Sequence, residues 1–194
     1  MEWSALVEFL PALALGVALA ACAGLRAFLP LLLAGILARA GFLDLGASFQ
    51  FLASNRALVV FGVASLIEIL GDKIPAVDHA LDAIGTPLRP AAGALLAASV
   101  LGQVSDPLVA LALGTAVGAP AALVPHAAKS ALRAASTTFT GGIANPILSL
   151  VEDVVSVFLF VLAVLVPIVV VGLLAIAVVL ISRTLRRRAA VTTA

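Results

Sequence analysis

NPILSLVEDVVSVFLFVLAVLVP, residues 145–167, decides the fold class. Asn145 and Pro146 suit the cap and first turn of a helix, because the asparagine amide accepts from free backbone N–H groups and proline needs none. From Ile147 to Val166 the only charged residues are Glu152 and Asp153. About 20 apolar residues in a helix match the hydrocarbon thickness of a bilayer. Two adjacent acids about two turns into such a helix are costly there, so they need partners in space.

The rest of the chain agrees with a lipid environment. Of its 194 residues 63% are hydrophobic and 11% charged, and mean hydropathy is +1.26. Soluble domains carry about a quarter charged residues. A chain this short and apolar could not hide its surplus in a soluble core, so the surface itself must be apolar. The expected class is therefore an all-α, polytopic integral membrane protein. The net charge of +1 identifies no partner and gives no basis for nucleic-acid binding. Cys22 is the only cysteine, which excludes an internal disulfide and a cysteine zinc cluster. Packing must then come from small residues such as Ala91-Ala92-Gly93-Ala94 and Gly114-Thr115-Ala116-Val117-Gly118-Ala119. Leu19-Ala20-Ala21-Cys22 resembles a lipoprotein cleavage site. The preceding segment carries Glu2 and Glu8 with no Lys or Arg, and the apolar run continues past Cys22, so a retained helix is expected.

Five to seven helical segments are predicted, some broken or re-entrant, in one domain (1–188) with a short polar tail (189–194). Ala5 to Gly24 spans. Ala27 to Ala38, carrying Pro30, follows as the second arm of a tight hairpin or the continuation of a bent helix. A loop covers Gly41 to Gln50, and Ser54-Asn55 caps a helix from Arg56 to Leu70. A short helix bounded by Pro75 and Gly85-Thr86-Pro87 is expected next, then a separate one over Ala91 to Leu101. Pro107 opens a helix to Gly118, and Pro120 and Pro125 break or kink the path before the basic stretch Ala127 to Ala135. Thr137 to Ala144 reads as a loop, and Pro167 kinks or ends the 145–166 helix before a last span reaching Ser182. Arg183 to Arg188 places the C-terminus in the cytoplasm by the positive-inside tendency. Pro30, Asn55 and Pro75 are echoed by Pro125, Asn145 and Pro167, a pattern that suggests an internal repeat.

Two polar islands concentrate the chemistry. The first holds Glu68, Asp72, Lys73, Asp78, His79, Asp82 and Arg89; the second holds His126, Lys129, Arg133, Gly141, Gly142, Asn145, Glu152 and Asp153. Glu68 and Asp72 share a helix face at i, i+4, as do Asp78 and Asp82. These carboxylates suit a cation or a proton relay; they equally suit interfacial caps and salt bridges to Lys73 and Arg89. His126, Lys129 and Arg133 also fall on one face and fit a small anion, an anionic lipid head group, a cytoplasmic connecting helix, or the carboxylates themselves. Internal pairing is favoured, because unpaired charge is costly in so apolar a chain. The Gly141-Gly142 loop before a helix N-terminus could hold an anion or be a plain cap. No nucleophile elbow, metalloprotease motif or phosphate loop is present, so no catalytic residue, metal ligand or cofactor is assigned.

These strings resemble, over nearly the whole chain, an uncharacterised bacterial membrane family, domain of unknown function 4126. The likeness is carried by Asp72-Lys73-Ile74-Pro75-Ala76-Val77-Asp78-His79-Ala80-Leu81-Asp82, Thr86-Pro87-Leu88-Arg89-Pro90 and Gly24-Leu25-Arg26-Ala27-Phe28-Leu29-Pro30. His126, Lys129, Arg133, Gly141-Gly142-Ile143-Ala144-Asn145-Pro146, Ser149 and Glu152-Asp153 complete it. It implies an intact inner-membrane protein with both islands as its signature, and it transfers no activity. The expected function is a small transporter, channel or lipid-handling protein built on a buried polar site, monomeric or oligomeric. The alternatives are a structural protein whose ion pairs fix helix packing, and an intramembrane enzyme holding a metal between His79 or His126 and Asp78 or Glu152.

Overall fold

The computed structural model describes the backbone of residues 3–102 and 104–192; the side chains of 3–8, 75, 76, 78–80, 168 and 184–192 lie outside the described residues. Seven α-helices and one 3-10 helix make up the described chain. They are α1 (Trp3–Leu25), α2 (Phe28–Arg39), the 3-10 segment Ala47–Ala53, α3 (Asn55–Gly71), α4 (Pro75–Ser99), α5 (Pro107–Thr140), α6 (Asn145–Leu165) and α7 (Pro167–Thr192). No strand occurs among the described residues, and the all-α expectation holds.

α5 and α6 are each long and apolar enough to cross a membrane. The 3-10 segment and α3, bent by 58°, form a third candidate as a broken span or re-entrant loop. Shorter apolar pieces remain at Phe9–Leu25, Phe28–Arg39 and Val169–Arg183. Outward faces are apolar, with Val60 and Leu66 on α3 and Leu150, Val154 and Phe158 on α6 exposed. Exposed aliphatic faces of this size belong in lipid rather than water.

The helix borders correct the sequence reading in several places. α4 runs unbroken through Pro87 and Pro90, and α5 through Pro120 and Pro125. Each proline removes one backbone hydrogen bond. α4 and α5 nevertheless pack along much of their lengths, and that contact outweighs the local penalty, as neighbouring helices commonly allow in membranes. Just before Pro87, Thr86 Oγ1 donates to the Asp82 carbonyl at 3.0 Å. The expected 41–50 loop holds the start of the 3-10 segment, and the 137–144 loop shrinks to a turn because α5 continues to Thr140. Asn145 is the first residue of α6 rather than its cap, and its amide donates to Thr137 Oγ1 at 3.2 Å. α7 carries the helix past Ser182, through the basic cluster, to Thr192. Ser54 caps α3 as expected, accepting from the Ala57 amide, and Asp106 caps α5 ahead of Pro107.

α2 packs on α3 and the 3-10 segment rather than back along α1, so the pair is a broken helix and not a tight hairpin. The repeat markers coincide in two of three cases. Asn55 and Asn145 each begin a helix, as do Pro75 and Pro167, whereas Pro30 lies in the first turn of α2 and Pro125 deep within α5.

Small residues set the central crossings. A Cβ on Gly118 would sit 2.4 Å from the Gly93 carbonyl oxygen, and one on Gly114 would sit 2.4 Å from that of Ala94. Gly24 is tighter, at 2.1 Å from the Ala122 carbonyl oxygen. Glycine here permits backbone-to-backbone approach, the small-xxx-small device of membrane helices. Gly118→Ala is expected to force α4 from α5 and cost about 1–3 kcal/mol, the usual range for overpacking. The readout is the melting temperature in detergent; an unchanged value would mean that the crossing is looser than these distances.

Candidate functional site

The α1–α2 break places the site. Arg26 and Ala27 interrupt the helix between Leu25 and Phe28, freeing backbone groups that must be satisfied where water is scarce. Glu68, from the last turns of α3, accepts the amides of Ala27 and Phe28 at 3.0 and 3.2 Å and so caps α2 from another helix. A carboxylate is well placed there, since helix N-termini carry partial positive charge. On the other side of the break, Lys129 Nζ lies 3.5 Å from the Leu25 carbonyl oxygen.

Arg26, fully buried, then bridges two parts of the fold. Its Nη1 meets Asp72 Oδ2 at 2.5 Å and donates to the Glu68 carbonyl at 3.2 Å. Its Nη2 meets Asp153 Oδ1 at 2.5 Å and donates to Ser149 Oγ at 3.1 Å. The planar guanidinium suits this double engagement.

Asp72, just beyond α3, is the centre. The same Oδ2 also meets Lys129 Nζ at 3.3 Å and Arg133 Nη2 at 3.1 Å. Burial is the largest single influence and would raise this carboxyl. The combined fields of Lys129, Arg26 and Arg133, with the Lys129 hydrogen bond, outweigh it and hold the group below the usual carboxylate range.

A second tier closes around the same bases. Glu152 accepts from Arg133 at 2.8 and 3.1 Å and lies 3.2 Å from Lys129. Asp82 pairs with Arg89 at 3.2 Å and lies 3.6 Å from Arg133 and 3.9 Å from Lys129. Lys73 closes the rim on Asp153 at 3.1 Å. Arg89 Nη1 donates to His126 Nδ1 at 2.7 Å, while His126 Nε2 faces Thr86 Oγ1 at 3.5 Å. Since an arginine only donates, Nδ1 must carry a lone pair, which assigns the ring proton to Nε2. The continuity of α4 makes this tier feasible: Asp82 and Arg89, seven residues apart, fall on one face toward α5.

The structure thus joins Glu68, Asp72, Lys73, Asp82, Arg89, His126, Lys129, Arg133, Glu152 and Asp153 of the two islands. Gly141, Gly142 and Asn145 stand apart at the α5–α6 turn, where both glycines have positive φ and Gly141 terminates α5. Asp78 and His79 have side chains outside the described residues. Among the described residues no group of three or more His, Cys, Asp or Glu is placed to hold a metal. Arg26 belongs to the site although it lies outside both islands. Its signal was a lone arginine between two apolar segments, the position where an ionisable group most needs a buried partner.

An apolar crevice of about 350 Å³ reaches this network from the side. It lies between α1, α5, α6 and α7, with walls from residues such as Leu132, Leu159, Leu174 and Ala177. Of its lining only Lys129 and Glu152 are charged.

Residues 13–187 match the family model described as Domain of unknown function (DUF4126). The chain belongs to this family. No curated protein and no solved structure matches it. The DUF4126 match takes in both islands, the Arg26 break and every helix that contributes to the ion network.

Proposed function

We propose that this DUF4126 member is a small lipid-handling protein of the bacterial inner membrane, with its C-terminus in the cytoplasm. The ion network forms the polar end of an intramembrane binding site. One observation carries the reading: the 350 Å³ crevice is apolar until it meets Lys129 and Glu152. Pockets of about 300–1,000 Å³ with few convergent polar groups are typical ligand sites. A path for a hydrated ion would want polar walls, so lipid handling is preferred over a channel or ion transporter. The reading invokes no catalytic step and no cofactor.

A structural role is the second reading, and the pairing itself favours it. Four acids (Asp72, Asp82, Glu152, Asp153) pair with five bases (Arg26, Lys73, Arg89, Lys129, Arg133) among the described residues, while the Glu68 carboxylate caps α2. Buried pairs of this kind can serve register alone. The paired variant Lys129→Met/Glu152→Met separates the two readings, because it removes one charge of each sign and leaves Asp72 with Arg26 and Arg133. Native mass spectrometry of protein extracted in mild detergent should show a bound lipid on the wild type. The lipid should be lost from the variant while its melting temperature stays within a few degrees. A variant that keeps the lipid, or a wild type that carries none, would leave the structural reading in possession.

A further inference from the structure

The crevice and the network together restrict the head group of its occupant. Resting on the lipid-handling reading, we infer that the crevice takes a single-chain lipid with an uncharged hydroxyl head, a long-chain alcohol, its hydroxyl donating to Glu152.

Size argues for one chain. A cavity of about 150 Å³ lined by aliphatic and aromatic groups takes a benzene; 350 Å³ is little more than twice that. One alkyl chain fills such a space and two do not.

Chain burial cannot provide selectivity, because a lipid tail leaves surroundings as apolar as the leucines it meets. Recognition therefore falls to the head. Among the described residues the network is balanced, so an anionic head would face Glu152 and a cationic head Lys129 with no counter-charge to spare. Placing such a charge here is costly. A neutral head avoids that cost if it can donate. Among the described residues Glu152 Oε1 accepts one hydrogen bond, from Arg133 Nε at 3.1 Å, whereas Oε2 meets both Arg133 and Lys129. A carboxylate oxygen has two lone pairs, so Oε1 retains one acceptor site. The Glu152 side chain is 12% exposed and lines the crevice. A hydroxyl in the bilayer interior otherwise lacks a partner, which makes this bond the discriminating contact.

The test is photocrosslinking of the full chain in detergent with hexadecanol carrying a diazirine in its alkyl chain, competed by unlabelled hexadecanol, hexadecane or hexadecanoate. Crosslinks should map to the crevice walls on α1, α5, α6 and α7. Hexadecanol should compete at least about tenfold better than either analogue, as expected for one hydrogen bond to a charged acceptor. Ala177→Trp and Ala128→Trp fill the crevice from α7 and from α5; either one, if folded, should abolish the crosslink. Equal competition by hexadecane, better competition by hexadecanoate, or crosslinks elsewhere would overturn the inference. In each of those cases lipid loss from the Lys129→Met/Glu152→Met variant could still stand, so failure of the head-group assignment is distinguishable from failure of the lipid-handling reading.

Discussion

Asp72→Ala should yield little or no folded protein. The substitution removes the acceptor shared by Arg26, Lys129 and Arg133 and leaves three cations facing one another in a buried site. Breaking a single buried pair costs about 3–5 kcal/mol, a large part of the 5–15 kcal/mol that typically holds a domain together. The expected readout is loss of the monodisperse peak in detergent size exclusion. Asp72→Asn should fare little better, because an amide keeps the shape and loses the charge. Wild-type stability across pH checks the same carboxylate. A group held below its usual range contributes fully above that range, and its contribution fades as pH falls through the lowered value. Melting temperature should therefore hold through mild acid and drop below it. A drop that begins near neutrality would mean that Asp72 is not the dominant carboxylate.

Arg26→Lys should be nearly as damaging as Arg26→Met, about 3–5 kcal/mol in either case. Conservative exchange fails because the role is geometric. One guanidinium reaches Asp72 and Glu68 through Nη1 and Asp153 and Ser149 through Nη2, which ties the break between α1 and α2 to both α3 and α6. An ammonium is a single point and cannot occupy both positions. Melting temperatures of the two variants decide: a lysine variant within a few degrees of wild type would show that charge alone suffices and that the fork is incidental.

Much of the site was legible from residue type alone. Buried charge needs counter-charge, and that rule alone points Lys129 and Arg133 to the acids of the two islands. Helix starts at Asn55, Pro107 and Asn145 were legible too, because capping and proline geometry are local. What could not be read was decided between helices. Gly85-Thr86-Pro87 and Pro120 resemble breaks; α4 and α5 pass through them because each supports the other, and no window along one segment contains that support. Asn145 is the first helical residue rather than the cap because α5 runs on to Thr140 and only the turn 141–144 separates it from α6. Arg26 stands outside both islands, and its partners lie 46 and 127 positions away, at Asp72 and Asp153.

Those separations bear on how the protein is made. The network divides at the α4–α5 connection. Before it stand Arg26, Lys73 and Arg89 with Glu68, Asp72 and Asp82; after it stand Lys129 and Arg133 with Glu152 and Asp153. Each side is neutral on its own among the described residues. Once the first four helices have been delivered, the network charges they carry sum to zero among the described residues. The first four helices can settle with Arg26 on Asp72; in the last three Lys129 and Arg133 meet Glu152, and Asp153 finds Arg26 and Lys73 when the halves join. Joining the halves then exchanges partners between two groups whose network charges each cancel among the described residues.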